Sequence, residues 1–212
     1  MRTSVRRLLG ALAAAAFLSP AIDKAASAED SVLKVVMHSD LKIVDPIWTT
    51  AYMSRNYGYM VYDTLFAMDA ELNVQPQMVE SYGVSDNSLK YTFTLREGLT
   101  WHDGAAVTSE DAIASISRWG KKDSMGQLMM SFVDGMTAVD DRTFELNLRE
   151  PYGLVLLSLA KPSSNVPFIM PKRVAETSET EQISEYVGSG PYVFEKDEWA
   201  PGDKAVFSKF EH

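Results

Sequence analysis

Cysteine is absent from the 212 residues. That removes disulfides, thiol nucleophiles, closed thiolate metal sites and lipid attachment through an N-terminal cysteine. Histidine is scarce, with three copies at His38, His102 and His212, and none falls in an H-E-x-x-H or comparable ligand spacing. No G-x-S-x-G elbow occurs, and "GSGPY" at 188–192 lacks the lysine of a phosphate loop and precedes a strand pattern. Positive charge is in deficit: 20 Lys and Arg against 29 Asp and Glu give a net charge of −9. Such a chain is a poor polyanion ligand, so nucleic acid is not an expected partner. Long apolar runs are also missing. The one sustained run, at 8–18, is short of the roughly 20 residues that cross a bilayer.

That run has a different meaning. Arg2, Arg6 and Arg7 precede it, Pro20 breaks it, and Ala26-Ser27-Ala28 supplies a small-residue cleavage site. Residues 1–28 therefore read as a secretory signal peptide cleaved after about Ala28, which places the mature protein in the periplasm. Arg6-Arg7-Leu8-Leu9 is a partial twin-arginine pattern without most of its flanks, so ordinary export is expected. Removal of 1–28 takes four bases and one acid, leaving a net charge of −12. Export without disulfides requires a real hydrophobic core, which this length permits.

The segment 31–46, "SVLKVVMHSDLKIVDP", reads as a strand buried on both faces and ended by Asp45-Pro46. Met53, Tyr57, Met60 or Val61, Leu65 and Met68 recur at helical spacing and predict a helix over 51–68, with the stripe read as packing. "YTFTLR" at 91–96 alternates, with Tyr91, Phe93 and Leu95 on one face. Leu99 and Trp101 continue the alternation, and His102-Asp103-Gly104 is a turn. Thr108-Ser109-Glu110-Asp111 fits a capping box with Thr108 as N-cap, opening a helix whose Ala112, Ile113, Ile116 and Trp119 share a face and which ends at Gly120. A second helix is expected near 125–132, a strand with Phe144, Leu146 and Leu148 inward, a buried segment at 154–160, and a proline-punctuated loop, "KPSSNVPFIMP". A polar-faced helix over 173–186 and two strands joined at Pro201-Gly202-Asp203 complete the reading. The fold class is α/β, of mixed α+β character.

The chemical candidates are few. His102 and Asp103, with Glu110, are the groups an exported hydrolase or metal-dependent enzyme would use, yet Glu110 and Asp111 already suit a helix start. The turn-and-cap reading of this stretch implies no catalytic residue, no metal and no cofactor.

The order of Asp45-Pro46, "VYDTL" at 61–65, "YTFTLREGLTWHDGAAVTSEDAIASISRW" at 91–119 and "GSGPY" at 188–192 resembles the extracellular solute-binding proteins of family 5. These are the receptors of ABC importers for dipeptides, oligopeptides, nickel chelates and related solutes. The resemblance implies a type II periplasmic binding protein fold of two lobes closing over a ligand. On that mapping residues 29–62 and 160–212 form the first lobe and 63–159 an inserted small subdomain. Members of the family are longer, and their second lobe follows the point where this chain stops, so a fragment lacking that lobe is expected. The implied partners are a small solute, foremost a peptide, and the permease subunits of the inner membrane, with the receptor itself a monomer. A sensory receptor of the same fold is an alternative, as is the exported enzyme. The candidate ligand-binding residues are Met37, His38 and Ser39 after the first strand, Tyr152, and the loop Ser163, Ser164 and Asn165, whose hydroxyl and amide groups suit peptide partners.

Overall fold

The computed structural model describes residues 32–211, so the signal peptide and its cleavage site lie outside the described residues. Two units are distinguished, 1–36 and 37–212. In the first, residues 32–36 carry no regular secondary structure and are exposed, Val36 to 99%. In the second, 37–43 likewise form no strand. The strand expected over 31–46 is therefore absent from the described residues. Alternating β-branched residues favour extended backbone, but a strand needs a hydrogen-bonding neighbour, and none of the described strands pairs with this segment.

The remaining elements all lie in the second unit. Helix α1 spans Tyr52–Val61 and is followed by two short strands, β1 at Asp63–Thr64 and β2 at Phe66–Met68. The helix expected to reach 68 stops at 61 for a specific reason. Gly190 N–H donates to the Val61 carbonyl at 2.9 Å, and β1 pairs antiparallel with β8 (Phe168–Ile169), Asp63 opposite Ile169. A Cβ on Gly190 would come within 2.8 Å of the Met60 carbonyl oxygen, so only glycine lets this backbone approach. Strand β3 (Val74–Pro76) pairs with β2.

A four-stranded antiparallel sheet follows, in the order β4 (Val79–Val84), β5 (Lys90–Leu95), β7 (Thr143–Leu148) and β6 (Val133–Ala138). The period-2 pattern holds: Tyr91, Phe93 and Leu95 are buried, as are Phe144, Leu146 and Leu148. Phe93 sits opposite Phe144, with ring centroids 5.1 Å apart.

Helix α2 (Ser109–Lys122) packs against β6, β7 and β8. It begins where the capping box predicts. The Thr108 hydroxyl accepts from Asp111 N–H, and the Asp111 carboxylate accepts from Thr108 N–H at 2.8 Å. Ala112, Ile116 and Trp119 are fully buried, so truncating Trp119 to Ala would cost about 3–5 kcal/mol. The helix runs two residues beyond Gly120. Asp123 then ends it and caps α3 (Ser124–Phe132), accepting from the N–H groups of Met125 and Gly126.

The buried segment near 154–160 is helix α4 (Val155–Leu159). The helix expected over 173–186 is only the four-residue α5 (Lys172–Ala175). Beyond it the carbonyls of Thr177 and Glu181 accept from Arg118, and that of Glu179 from Lys122, so long-range side chains replace helical partners. Strands β9 (Tyr192–Phe194) and β10 (Phe207–Lys209) form the expected hairpin, Tyr192 opposite Lys209, with Gly202 at φ +85° in its connection.

Candidate functional site

The His-Asp turn is built into the backbone scaffold. Trp101 is buried, and Gly104 turns the chain at φ +84°. His102 N–H donates to the Gly188 carbonyl at 2.8 Å. Gly188 N–H donates back to Nδ1 at 3.3 Å, which fixes the proton on Nε2, 2.9 Å from the Gly190 carbonyl. The ring edge meets Phe210 at 4.8 Å. Asp103 accepts from Ala105 N–H at 3.0 Å and from Arg173 at 2.7 Å, and these partners hold its carboxyl below the usual carboxylate range. Glu110 pairs with Lys172 at 2.9 Å and Asp111 closes the cap. These side chains face backbone groups and surface cations, and among the described residues no group of three His, Asp or Glu has metal-holding geometry.

A buried ion pair lies deeper. Arg118 grips Asp45 through two bonds of 3.1 and 2.7 Å, with side chains only 2% and 1% exposed. Asp45 also accepts from the N–H groups of Ile47, Trp48 and Ile183. Charge and hydrogen-bonding capacity are thus matched inside the core, where an unpaired ion would be very unfavourable.

The surface most suited to a ligand is the outer face of α1. Met53, Ser54, Tyr57, Gly58 and Val61 turn inward, so the helical period brings Tyr52, Arg55, Asn56 and Tyr59 together outside. Tyr52 is 60% and Tyr59 43% exposed. The Arg55 guanidinium lies 4.7 Å from the centre of the Tyr52 ring, within cation–π range. It donates to Asn56 Oδ1 at 3.3 and 3.1 Å and to Ser163 Oγ at 3.1 Å. Tyr59 donates to the Pro162 carbonyl at 2.9 Å, and partial burial raises its pKa against the opposing charge of Arg55. Ser164, next in the loop, has left-handed backbone at φ +63°, a conformation of roughly 1 kcal/mol or more in cost for a side-chain-bearing residue. A strained loop, a cation and two open aromatic rings therefore share one patch.

The sequence candidates fall in different places. Ser163 and Ser164 belong to this patch. Asn165 is buried behind it. Its amide donates to the carbonyls of Ile47 and Thr49 at 2.8 and 2.9 Å, and its own carbonyl accepts from Trp119 Nε1 at 2.8 Å. Tyr152 is 7% exposed and stacks on Phe132 at 4.7 Å. Met37, His38 and Ser39 lie exposed in irregular backbone, and no hydrogen bond among the described residues joins them to 162–165. Tyr52, Arg55, Asn56 and Tyr59 were not singled out by the sequence. Their spacing of three, four and seven, opposite the buried stripe, is the signal that carries them.

Comparison with known proteins matches this framework. The family model for Bacterial extracellular solute-binding proteins, family 5 Middle matches residues 73–212. "Probable peptide ABC transporter periplasmic-binding protein y4tO" of Sinorhizobium fredii is 40% identical over 204 residues, covering 95% of this chain and 38% of that protein. Glutathione-binding protein GsiB of Escherichia coli K12 is 29% identical over 181 residues, covering 83% of this chain and 34% of its own length. The solved structure of AgaA from A. tumefaciens R10, in complex with agropinic acid, superposes with a TM-score of 0.67 at 26% identity, over 80% of this chain and 34% of that one. The chain thus spans little more than a third of the proteins it matches. Its mixed α/β architecture is that of the periplasmic binding proteins, and the chain belongs to the bacterial extracellular solute-binding proteins, family 5.

Proposed function

We propose that this chain is part of a periplasmic receptor that captures a peptide or similar small solute and hands it to the permease of an ABC importer. The observation that carries the reading is the 40% identity over nearly the whole chain to a protein named for peptide ABC transport. The solute seats on the outer face of α1 and the 162–164 loop, a patch where open aromatic rings, a guanidinium and loop hydroxyls converge. Residues 29–62 and 160–212 act as a first lobe carrying that patch, with 63–159 as an inserted subdomain. The receptor works as a monomer, and capture involves no covalent step. The His102 ring contacts the backbone of Gly188 and Gly190, which suits a scaffold role.

The test is a thermal-shift screen of the full-length mature protein against dipeptides, oligopeptides, glutathione, opine-type amino-acid conjugates and nickel chelates. A solute at 100 times its dissociation constant adds about 2.7 kcal/mol to native stability, a shift of several degrees. Stabilisation by one class identifies the cargo. A flat response across all of them refutes the solute-receptor reading.

A further inference from the structure

We propose that Arg55 is the docking group for a carboxylate of the captured solute, so that the cargo is a small organic acid, such as a peptide with a free C-terminus or an amino-acid conjugate. The proposal rests on the reading of the α1 face as ligand-binding and makes it chemically specific.

The arginines of the described residues divide clearly. Arg118, Arg142, Arg149 and Arg173 each pair with a carboxylate. Arg96 is exposed and donates to the Gln77 carbonyl. Arg55 is half-buried and among the described residues has only neutral hydrogen-bond partners, Asn56 and Ser163. Neutral acceptors orient a guanidinium without cancelling its charge. A half-buried guanidinium held by neutral acceptors keeps its full charge for an anion arriving from outside.

The geometry of the remaining donors is also suited to a carboxylate. Of the five N–H groups of a guanidinium, the described contacts occupy the one on Nε, one on Nη1 and one on Nη2. One N–H therefore remains on each terminal nitrogen of the guanidinium fork, left to donate to the oxygens of a carboxylate. The Tyr52 ring covers one face of the guanidinium. It leaves the edge available and lowers the rotational freedom that binding would otherwise remove. Tyr52 and Tyr59 stand three residues before and four after Arg55, so each presents an open ring beside the fork. Those rings suit the apolar body or peptide planes of a ligand whose acid group sits on Arg55. In the adjoining loop the hydroxyl of Ser163 accepts from Nη1, next to Ser164 at positive φ.

Isothermal titration of the full-length protein tests this with dipeptides, glutathione and opine-type conjugates, each as the free acid and as the matching amide. The wild-type protein should prefer the acid by about 10- to 100-fold, the range of a charge-assisted hydrogen-bonded pair. Arg55→Gln should abolish that preference, bringing acid and amide to similar affinities. Arg55→Lys should restore part of it, because the charge survives and the fork does not. Should Arg55→Gln fold poorly, Ser163→Ala, which removes the hydroxyl that holds the guanidinium, should still lower the acid-over-amide preference several-fold. Retention of the wild-type acid preference in Arg55→Gln, or in Ser163→Ala where that variant stands in, overturns the proposal and leaves the receptor reading standing. A wild-type protein that binds none of these solutes, acid or amide, overturns both.

Discussion

Replacing Arg118 with methionine isolates the Asp45 carboxylate in the core while filling most of the same volume. In the native protein this carboxylate is 1% exposed and receives two bonds from Arg118 and three from the N–H groups of Ile47, Trp48 and Ile183. The substitution leaves the three backbone bonds and removes the only countercharge in contact. Breaking one side of a buried pair costs about 3–5 kcal/mol. The Thr177 and Glu181 carbonyls also lose Arg118 as a donor, but they are only part-buried and water replaces it in part. Equilibrium unfolding in urea should therefore show a loss of about 3–5 kcal/mol, or a fall in Tm of about 6–20 °C. The double variant Asp45→Asn with Arg118→Met should recover part of the loss, because asparagine removes the buried charge while its one carbonyl oxygen still accepts from the Ile47 and Trp48 N–H groups. A single variant that loses under about 1 kcal/mol would show that the pair is dispensable and refute the reasoning. A double variant at the sum of two large single losses would show that charge burial is not the cause.

Three further outcomes are expected. Gly190→Ala places a Cβ 2.7 Å from the Val61 carbonyl carbon and 2.8 Å from the Met60 oxygen, all backbone; it should lower stability by several kcal/mol, on the order of a buried backbone clash, seen as a collapse of soluble yield. His102→Ala should lower Tm by a few degrees and leave solute affinity unchanged in titration, since its ring contacts the 188–190 backbone; loss of affinity at unchanged Tm would place it in the site instead. Asp103 has its pKa lowered by the Ala105 N–H and Arg173, so its share of stability is present above its ordinary value of 3.8 and fades as pH falls through the lower folded value. Asp103→Asn should accordingly lower Tm near neutrality, where that share is present, and converge with the wild type at low pH, which flattens the acid limb of a Tm-against-pH curve.

The elements legible in the sequence are those written by local chemistry. The Thr108–Asp111 box is a bargain between four neighbours, and the 91–95 strand declares itself by period two, whatever lies beyond. The misread elements were decided at long range. Nothing in 31–44 tells whether another strand will pair with it. The end of α1 at Val61 is set by Gly190, and the shortness of α5 by Arg118 and Lys122 reaching in from α2. The candidate site was half visible for the same reason. Loop chemistry singled out Ser163 and Ser164, but Asn165, with similar chemistry, turned out to hold the Ile47 and Thr49 carbonyls. The exposed side of α1 carries no motif of its own and is marked only as the complement of the buried stripe.

The bonds from His102 to Gly188 and Gly190 reach 86 and 88 positions along the chain. A growing or translocating polypeptide therefore meets its Trp-His-Asp-Gly corner long before the glycines that lock it. Until they arrive, both the corner and the C-terminal end of α1 lack their final acceptors and donors. Such late closure slows folding and keeps the early segments open to handling by other factors.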